Sequence, residues 1–170
     1  MSKNILYAEI SSDGFIAGSH DESPWSDDAW EAFQKFVRSC DAILVGRRTY
    51  EIMQREGDFI DDVPYIVATS DPSFDAGDFP KVSIKSKADM PDVERLGIIG
   101  GGELNGRLAK LGLIDEMILD IEPVTLGEGI RLFGSYDIQL KLQLLGSGQI
   151  GEETTQRHYA VLDSTDSGDN

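Results

Sequence analysis

Two short stretches of this 170-residue chain combine residue types that hold phosphate, and both stand where a strand should give way to a helix. Ile98 and Ile99 form a β-branched pair that suits a buried strand, and Gly100, Gly101 and Gly102 follow without a Cβ among them. Leu104, Leu108 and Leu111 then recur at i, i+4 and i+7, with Lys110 in the last turn and Gly112 just beyond, which predicts a helix. A glycine turn that opens a helix presents unpaired N–H groups at the positive end of the helix dipole, the arrangement an anion needs. Gly46-Arg47-Arg48-Thr49-Tyr50-Glu51 repeats that logic after the apolar run Ala42–Val45, adding guanidinium and hydroxyl donors. A further strand end, Val67-Ala68-Thr69-Ser70, adds two hydroxyls. Ligands of open α/β sheets sit at the carboxyl ends of the strands, so three such ends point to a nucleotide. The dinucleotide fingerprint G-x-G-x-x-G is excluded, because it would need glycine where Asn105 stands.

Other chemistries find no support. Cys40 is the single cysteine, which excludes an internal disulfide, and it reads as a small core residue. No C-x-x-C, H-E-x-x-H or G-x-S-x-G occurs, so neither a metal site nor a serine hydrolase is expected. His20 falls in a polar loop and reads as solvated, and His158 falls in a closing strand as a sheet-surface residue.

Fifteen Lys+Arg against 31 Asp+Glu give a net charge of −16, with acids spread over the whole length. Such a surface repels nucleic acid. Lysine is scarce, at seven residues, and the pattern suits a cytosol of molar salt, where the Debye length shrinks to roughly 3 Å. The charge thus reports a salt-loving habitat more than a function. No apolar run is long enough to span a membrane and no signal-peptide pattern opens the chain, so a cytoplasmic protein without membrane partners is expected.

These residues must be positioned by alternating elements. Ile5–Ala8 opens a first strand, followed by the loop S-S-D-G-F-I-A-G-S-H-D-E-S-P-W. Ser26 is a candidate N-cap, with Asp27 and Asp28 in the first turn of a helix whose buried face is Trp30, Phe33, Phe36 and Val37. D-A-I-L-V-G, P-Y-I-V-A-T-S, K-V-S-I-K, G-I-I-G and D-E-M-I-L-D-I-E-P-V read as strands, and R-R-T-Y-E-I-M-Q-R-E as a helix. Q-L-K-L-Q-L-L-G and T-T-Q-R-H-Y-A-V-L close the chain as strands around the turn S-G-Q-I-G-E-E. The expected fold is α/β: a single domain over residues 1–163, with a mixed, mostly parallel sheet flanked by helices and a C-terminal antiparallel hairpin. Residues 164–170 are expected to form a disordered acidic tail.

Three motifs in order, G-R-R-T-Y-E, I-x-G-G-G-x-L and G-L-I-D-E-x-x-L-x-x-x-P-V-x-L-G-x-G-x-x-L-F, resemble the dihydrofolate-reductase-like fold. Together with S-S-D-G-F-I-A-G and E-S-P-W, they are most similar to the C-terminal reductase domain of bifunctional riboflavin-biosynthesis deaminase-reductases and its stand-alone relatives, over residues 3–162. The resemblance implies NADPH as cofactor and hydride transfer to a pyrimidine- or pteridine-like small molecule. It implies that Gly46, Arg47 and Thr49 hold the pyrophosphate and part of the adenosine, and that Ser70 approaches the 2′-phosphate. Gly100, Gly101, Gly102, Glu103 and Leu104 would cradle the phosphates and the nicotinamide side. Asp13 would face the substrate with Trp25 lining the pocket, and Glu122 and Pro123 would stand where it closes. Asp13 and Glu122 are therefore the candidate catalytic carboxylates, since one acid, or a water it holds, must supply a proton. A non-proline cis peptide at Gly100–Gly101 and a homodimer, built partly on the C-terminal hairpin, are also implied.

Departures from the family pattern bear on the substrate. Phe15 stands where riboflavin-pathway reductases usually carry a basic residue, and residues 51–67 lack the D-x-P-x-L-x-x-R segment whose arginine engages a ribose phosphate. Asp71 follows Ser70 where NADP-dependent relatives often have a basic residue. Two alternatives accompany the reductase reading: a dihydrofolate reductase proper, and a nucleotide-binding protein without efficient reductase activity.

Overall fold

The computed structural model describes residues 2–23, 25–60 and 62–162. Pro24 of the E-S-P-W segment and the expected tail at 164–170 lie outside the described residues. The elements are β1 (Lys3–Ser11), β2 (Phe15–Ala17), α1 (Asp27–Arg38), β3 (Ala42–Gly46), α2 (Arg47–Glu56), β4 (Tyr65–Ala68), β5 (Lys81–Val82), β6 (Arg95–Ile98), α3 (Gly102–Lys110), β7 (Glu116–Glu122), β8 (Ile130–Arg131), β9 (Lys141–Ile150) and β10 (Thr154–Leu162).

Eight strands form one sheet in the order β5-β4-β3-β6-β1-β7-β10-β9, and β2 and β8 pair separately. The first six in that order run parallel, whereas β10 is antiparallel to β7 and to β9. This is the mixed sheet with a terminal hairpin that the sequence pattern predicts.

The central strands read as nearly continuous apolar runs because both sheet faces are covered. Ile5 and Tyr7 point to one face and pack with Phe36 and Val37 of α1 and Tyr50 and Met53 of α2. Leu6 and Ala8 point to the other and pack with Leu104, Leu108 and Ala109 of α3. Ser26 caps α1 as expected, its side chain accepting from the Ala29 N–H, with Asp27 and Asp28 in the first turn. The central strands thus end between α1 and α2 on one side and α3 on the other, and the site lies there.

Three local readings change. Phe15–Ala17, read as loop, is a strand paired with Ile130–Arg131, a distant pairing that gives no periodic signal over three residues. The strand expected over K-V-S-I-K shortens to Lys81–Val82. The closing turn is tighter than expected, because β9 continues to Ile150 and only residues 151–153 turn.

Candidate functional site

A cleft of about 1150 Å³ opens at the carboxyl ends of the parallel strands, and the glycine turns form one side of it. Gly46 is the N-cap of α2 and Gly101 the N-cap of α3, and neither helix receives a side-chain cap. Their first-turn N–H groups are thus left for a ligand. The two turns also touch: the Gly46 N–H donates to the Gly100 carbonyl oxygen at 2.7 Å. A Cβ at Gly46 would stand 3.3 Å from that oxygen, and one at Gly101 would stand 3.0 Å from Thr49 Oγ1. Glycine at both positions keeps the cradle open. The Gly100–Gly101 peptide is cis, as expected.

Four of the chain's eight arginines, Arg47, Arg48, Arg107 and Arg131, line this cleft. Arg47 is fixed at the rim: it binds Glu51 at 3.3 Å and Asp71 at 3.1 Å, and its guanidinium lies 4.5 Å from the Phe74 ring centre. Asp71 also accepts from the Ser73 hydroxyl and N–H, and these bonds with the Arg47 charge hold its carboxyl below the usual range. Arg48 is closed by Asp21 at 2.8 and 3.0 Å. Among the described residues Arg107 and Arg131 have no carboxylate in ion-pair range.

Asn105 adds a sharper signal. It is 1% exposed, its amide N–H₂ donates to the Leu132 carbonyl oxygen at 3.0 Å, and its Oδ1 has no hydrogen-bond partner. A buried amide oxygen without a donor costs about 1–3 kcal/mol, which a ligand bringing an N–H or O–H would recover.

The other side of the cleft is built by β1 and α1. Tyr7 and Glu9 project from β1 beside Trp25, Ser26, Asp27, Trp30 and Phe33. Tyr7 packs on Phe36 and Phe33, and Trp30 stacks on Phe33 at 5.4 Å. Glu9 pairs in register with the fully buried Asp120 of β7. Asp120 is claimed by the Tyr7 hydroxyl and by Gln156 Nε2, the latter at 2.9 Å. Burial first, and then the Asp120 and Glu122 charges, push the Glu9 carboxyl up to about 8.

Of the residues singled out from the sequence, Gly46, Arg47, Thr49, Ser70, Gly100, Gly101, Gly102, Glu103, Leu104 and Trp25 come together along this cleft. Glu103 does so through the first turn of α3, because its carboxylate is taken by the Ser135 N–H and hydroxyl at 2.8 and 2.9 Å. Asp13, Glu122 and Pro123 are not among the residues that line the cleft, although Glu122 bonds to Ser26, which is. Asp13 holds a turn: it accepts from the Ser11 hydroxyl and from the Leu126 and Gly127 N–H groups, and these bonds lower its carboxyl to about 2. Glu122 is buried and accepts from the Ser26 N–H and hydroxyl, so it anchors the start of α1. Pro123 is exposed just beyond β7.

Sequence reasoning missed Glu9, Asn105, Arg107 and Arg131. The signal for Glu9 was a carboxylate at an inward position of the strand Ile5–Ile10, and for Asn105 an amide on the apolar side of α3.

Fold and cleft together define a dihydrofolate-reductase-like α/β domain. Residues 83–156 match the family model described as the RibD C-terminal domain. The chain is 29% identical to the uncharacterized protein YwjB of Bacillus subtilis, over 92% of this chain and 97% of that protein. Its fold matches a putative riboflavin biosynthesis protein from Shewanella sp. PV-4, with a TM-score of 0.76 at 24% identity over 95% of this chain and 99% of that one. It also matches the dihydrofolate reductase of Enterococcus faecalis complexed with NADP(H), with a TM-score of 0.73 at 21% identity over 95% of this chain and 97% of that one. These structural matches show the dihydrofolate-reductase-like fold over nearly the whole chain. Among the described residues, no group could hold a metal ion and no helix is long and apolar enough to cross a membrane.

Proposed function

We propose that the chain is an NADPH-dependent reductase of the riboflavin-pathway type, acting in the cytoplasm as a homodimer on a pyrimidine- or pteridine-like small molecule. The observation that carries this reading is the pair of uncapped, glycine-led helix N-termini that meet at one cleft. The residues fit a dinucleotide: two N-terminal turns for the phosphates, an opened cradle between them, and the donor-less Asn105 Oδ1 beside it. When bound there, NADPH supplies a hydride to the substrate. The chain's own work is then orientation and exclusion of water, which cofactor chemistry chiefly requires of a protein. The N–H groups of α2 and α3 and Thr49 Oγ1 hold the phosphates, Arg47 and Ser70 flank the adenosine end, and Trp25 and Trp30 screen the opposite wall.

Titration of NADPH by nucleotide fluorescence tests the reading. Arg47→Ala should weaken binding about ten-fold or more, because charge-assisted contacts contribute roughly 1.5–3 kcal/mol and the variant leaves Asp71 and Glu51 uncompensated. Wild-type protein that fails to bind NADPH would overturn the function, and an unchanged Arg47→Ala affinity would remove that arginine from the site.

A further inference from the structure

Behind the cleft lies a second hollow, a groove of about 550 Å³ along α1, and Tyr7 alone among the described residues lines both. One stripe of α1 runs along it, with Asp28, Glu31, Ala32, Lys35, Phe36 and Ser39 at helical spacing. Ile118 of β7 and Gln156 of β10, both half-buried, line it from the sheet. Gln149, Ile150 and Gly151 line it at the tip of the hairpin. A Cβ at Gly151 would fall 1.9 Å from Asp28 Oδ2, so glycine there lets the Asp28 carboxylate lie against the tip.

The groove carries opposite charge at its two ends. Asp28 and Glu31 belong to the first half of α1, whereas Lys35, Ser39 and Arg95 gather at its C-terminal end. Lys35 and Glu31 meet at 3.7 Å, where the two ends adjoin. Arg95 is fixed without being neutralised: its Nε donates to Ser39 Oγ at 3.2 Å, and its guanidinium lies 5.6 Å from the Phe36 ring centre. Asp41 takes the Arg95 backbone N–H, and among the described residues no carboxylate stands within ion-pair range of the guanidinium. In a chain of net charge −16, a half-buried arginine without an acid is a ready donor to an incoming anion. Between the ends the lining is apolar, with two amides beside it. Gln156 gives its Nε2 to Asp120 and Gln149 gives its Nε2 to the Glu152 carbonyl, which leaves both amide oxygens as acceptors.

We propose that this groove is a second binding site and that it takes a short zwitterionic peptide in extended form. Its ammonium stands at Asp28 and Glu31, and its carboxylate at Arg95 and Lys35. Asp28 and Lys35 are seven positions apart on α1, about 10 Å at 1.5 Å per residue, and three extended residues span about the same length. The apolar middle, Phe36 with Ile118 and Ile150, suits one aliphatic side chain, and Gln149 and Gln156 accept peptide N–H groups. A plain anion would meet Asp28 and Glu31, and a plain cation would meet Arg95 and Lys35, so a ligand charged at one end only is disfavoured. Apart from Tyr7, no residue of the groove lines the cleft, so neither site needs the other to be filled.

Ala-Leu-Ala with free termini is the probe, titrated into the whole protein and followed by amide chemical shifts. Two charge-assisted contacts and one buried aliphatic side chain should give a Kd of about 1 mM or tighter. The shifts should fall on Phe36, Ile118, Gln149 and Gln156, and leave the first turns of α2 and α3 unmoved. The N-acetylated and the C-amidated peptide each lack one charge and should bind about ten-fold more weakly. Arg95→Gln should bind the free and amidated peptides alike, and Asp28→Asn with Glu31→Gln should bind the free and acetylated peptides alike. Both variants should keep the wild-type NADPH affinity, since none of these residues lines the cleft. Lys35→Gln, at an exposed position, supplies the same reading should Arg95→Gln fold poorly. No shift with the free peptide at about 10 mM, ten times the expected Kd, would overturn the inference. Equal binding of the three peptides to wild type, or an Arg95→Gln protein that still prefers the free carboxylate, would overturn it as well.

Discussion

At the residue scale, carboxylates in this acidic chain divide by what donates to them. Glu116, at the start of β7, is buried and bound by Lys3 Nζ and by His158 Nε2, the latter at 2.6 Å. Burial alone would raise its carboxyl, yet the bonds and charges of Lys3 and His158 outweigh burial and hold it below the usual range. A carboxylate with a depressed folded-state pKa stabilises above its unfolded value and loses that stabilisation as pH falls through the depressed one. Glu116→Gln should therefore cost about 1–2 kcal/mol at neutral pH, with the partly exposed Lys3 screening the larger penalty of a fully buried pair. The difference from wild type should close in acid. Denaturant melts from neutral pH to about pH 3 check it, and a constant difference would show that the carboxylate charge plays no part. The same division applies to Asp13 and Glu122, which the family resemblance alone brings forward as candidate catalytic carboxylates. A carboxylate beside a glycine loop or at a strand end is equally suited to hold backbone N–H groups, and only three-dimensional distances reveal which donors reach it.

At the element scale, much of the architecture was legible, because the apolar runs and helix periods are strong and both glycine-led turns open a helix. Helices α1, α2 and α3 lie where capping and periodicity put them. The short β2–β8 pairing was not legible, since two- and three-residue strands rest on contacts more than a hundred positions apart. The fit of α3 against residues 131–136 was also hidden. A Cβ at Gly106 would stand closer to the Phe133 carbonyl oxygen and the Tyr136 ring than real Cβ contacts allow. Alanine is worth about 1 kcal/mol more than glycine inside a helix, whereas overpacking costs about 1–3 kcal/mol. A backbone oxygen has less freedom to yield than a side chain, so the second effect should win. Gly106→Ala is expected to lower the melting temperature despite its better helix propensity, and a variant more stable than wild type would show that the 131–136 segment shifts without cost. That segment carries Arg131 and the carbonyl partner of Asn105, so a destabilised Gly106→Ala should also bind NADPH more weakly.

At the scale of the whole molecule, charge and edge geometry act in opposite directions. β9 is the sheet's edge, and it exposes Leu142, Leu144 and Leu145 at 37%, 53% and 49% of their surface. A long edge strand with apolar side chains and one unpaired row of backbone groups is a template for pairing, and a two-fold contact is the simplest closed solution. We propose that β9 pairs with its counterpart in a second copy. With −16 on each chain, a dimer carries −32 and repels itself in dilute buffer. Added salt screens that repulsion, so both pairing and folding should strengthen toward molar concentrations, where the Debye length is roughly 3 Å. Sedimentation and thermal melts across a salt series measure the two separately. Leu144→Lys places a charge at the centre of the edge and should leave a folded monomer at every salt concentration. A wild-type monomer throughout the series would defeat the pairing, whereas a dimer equally stable in dilute buffer would show that the acidic surface is not an adaptation to salt.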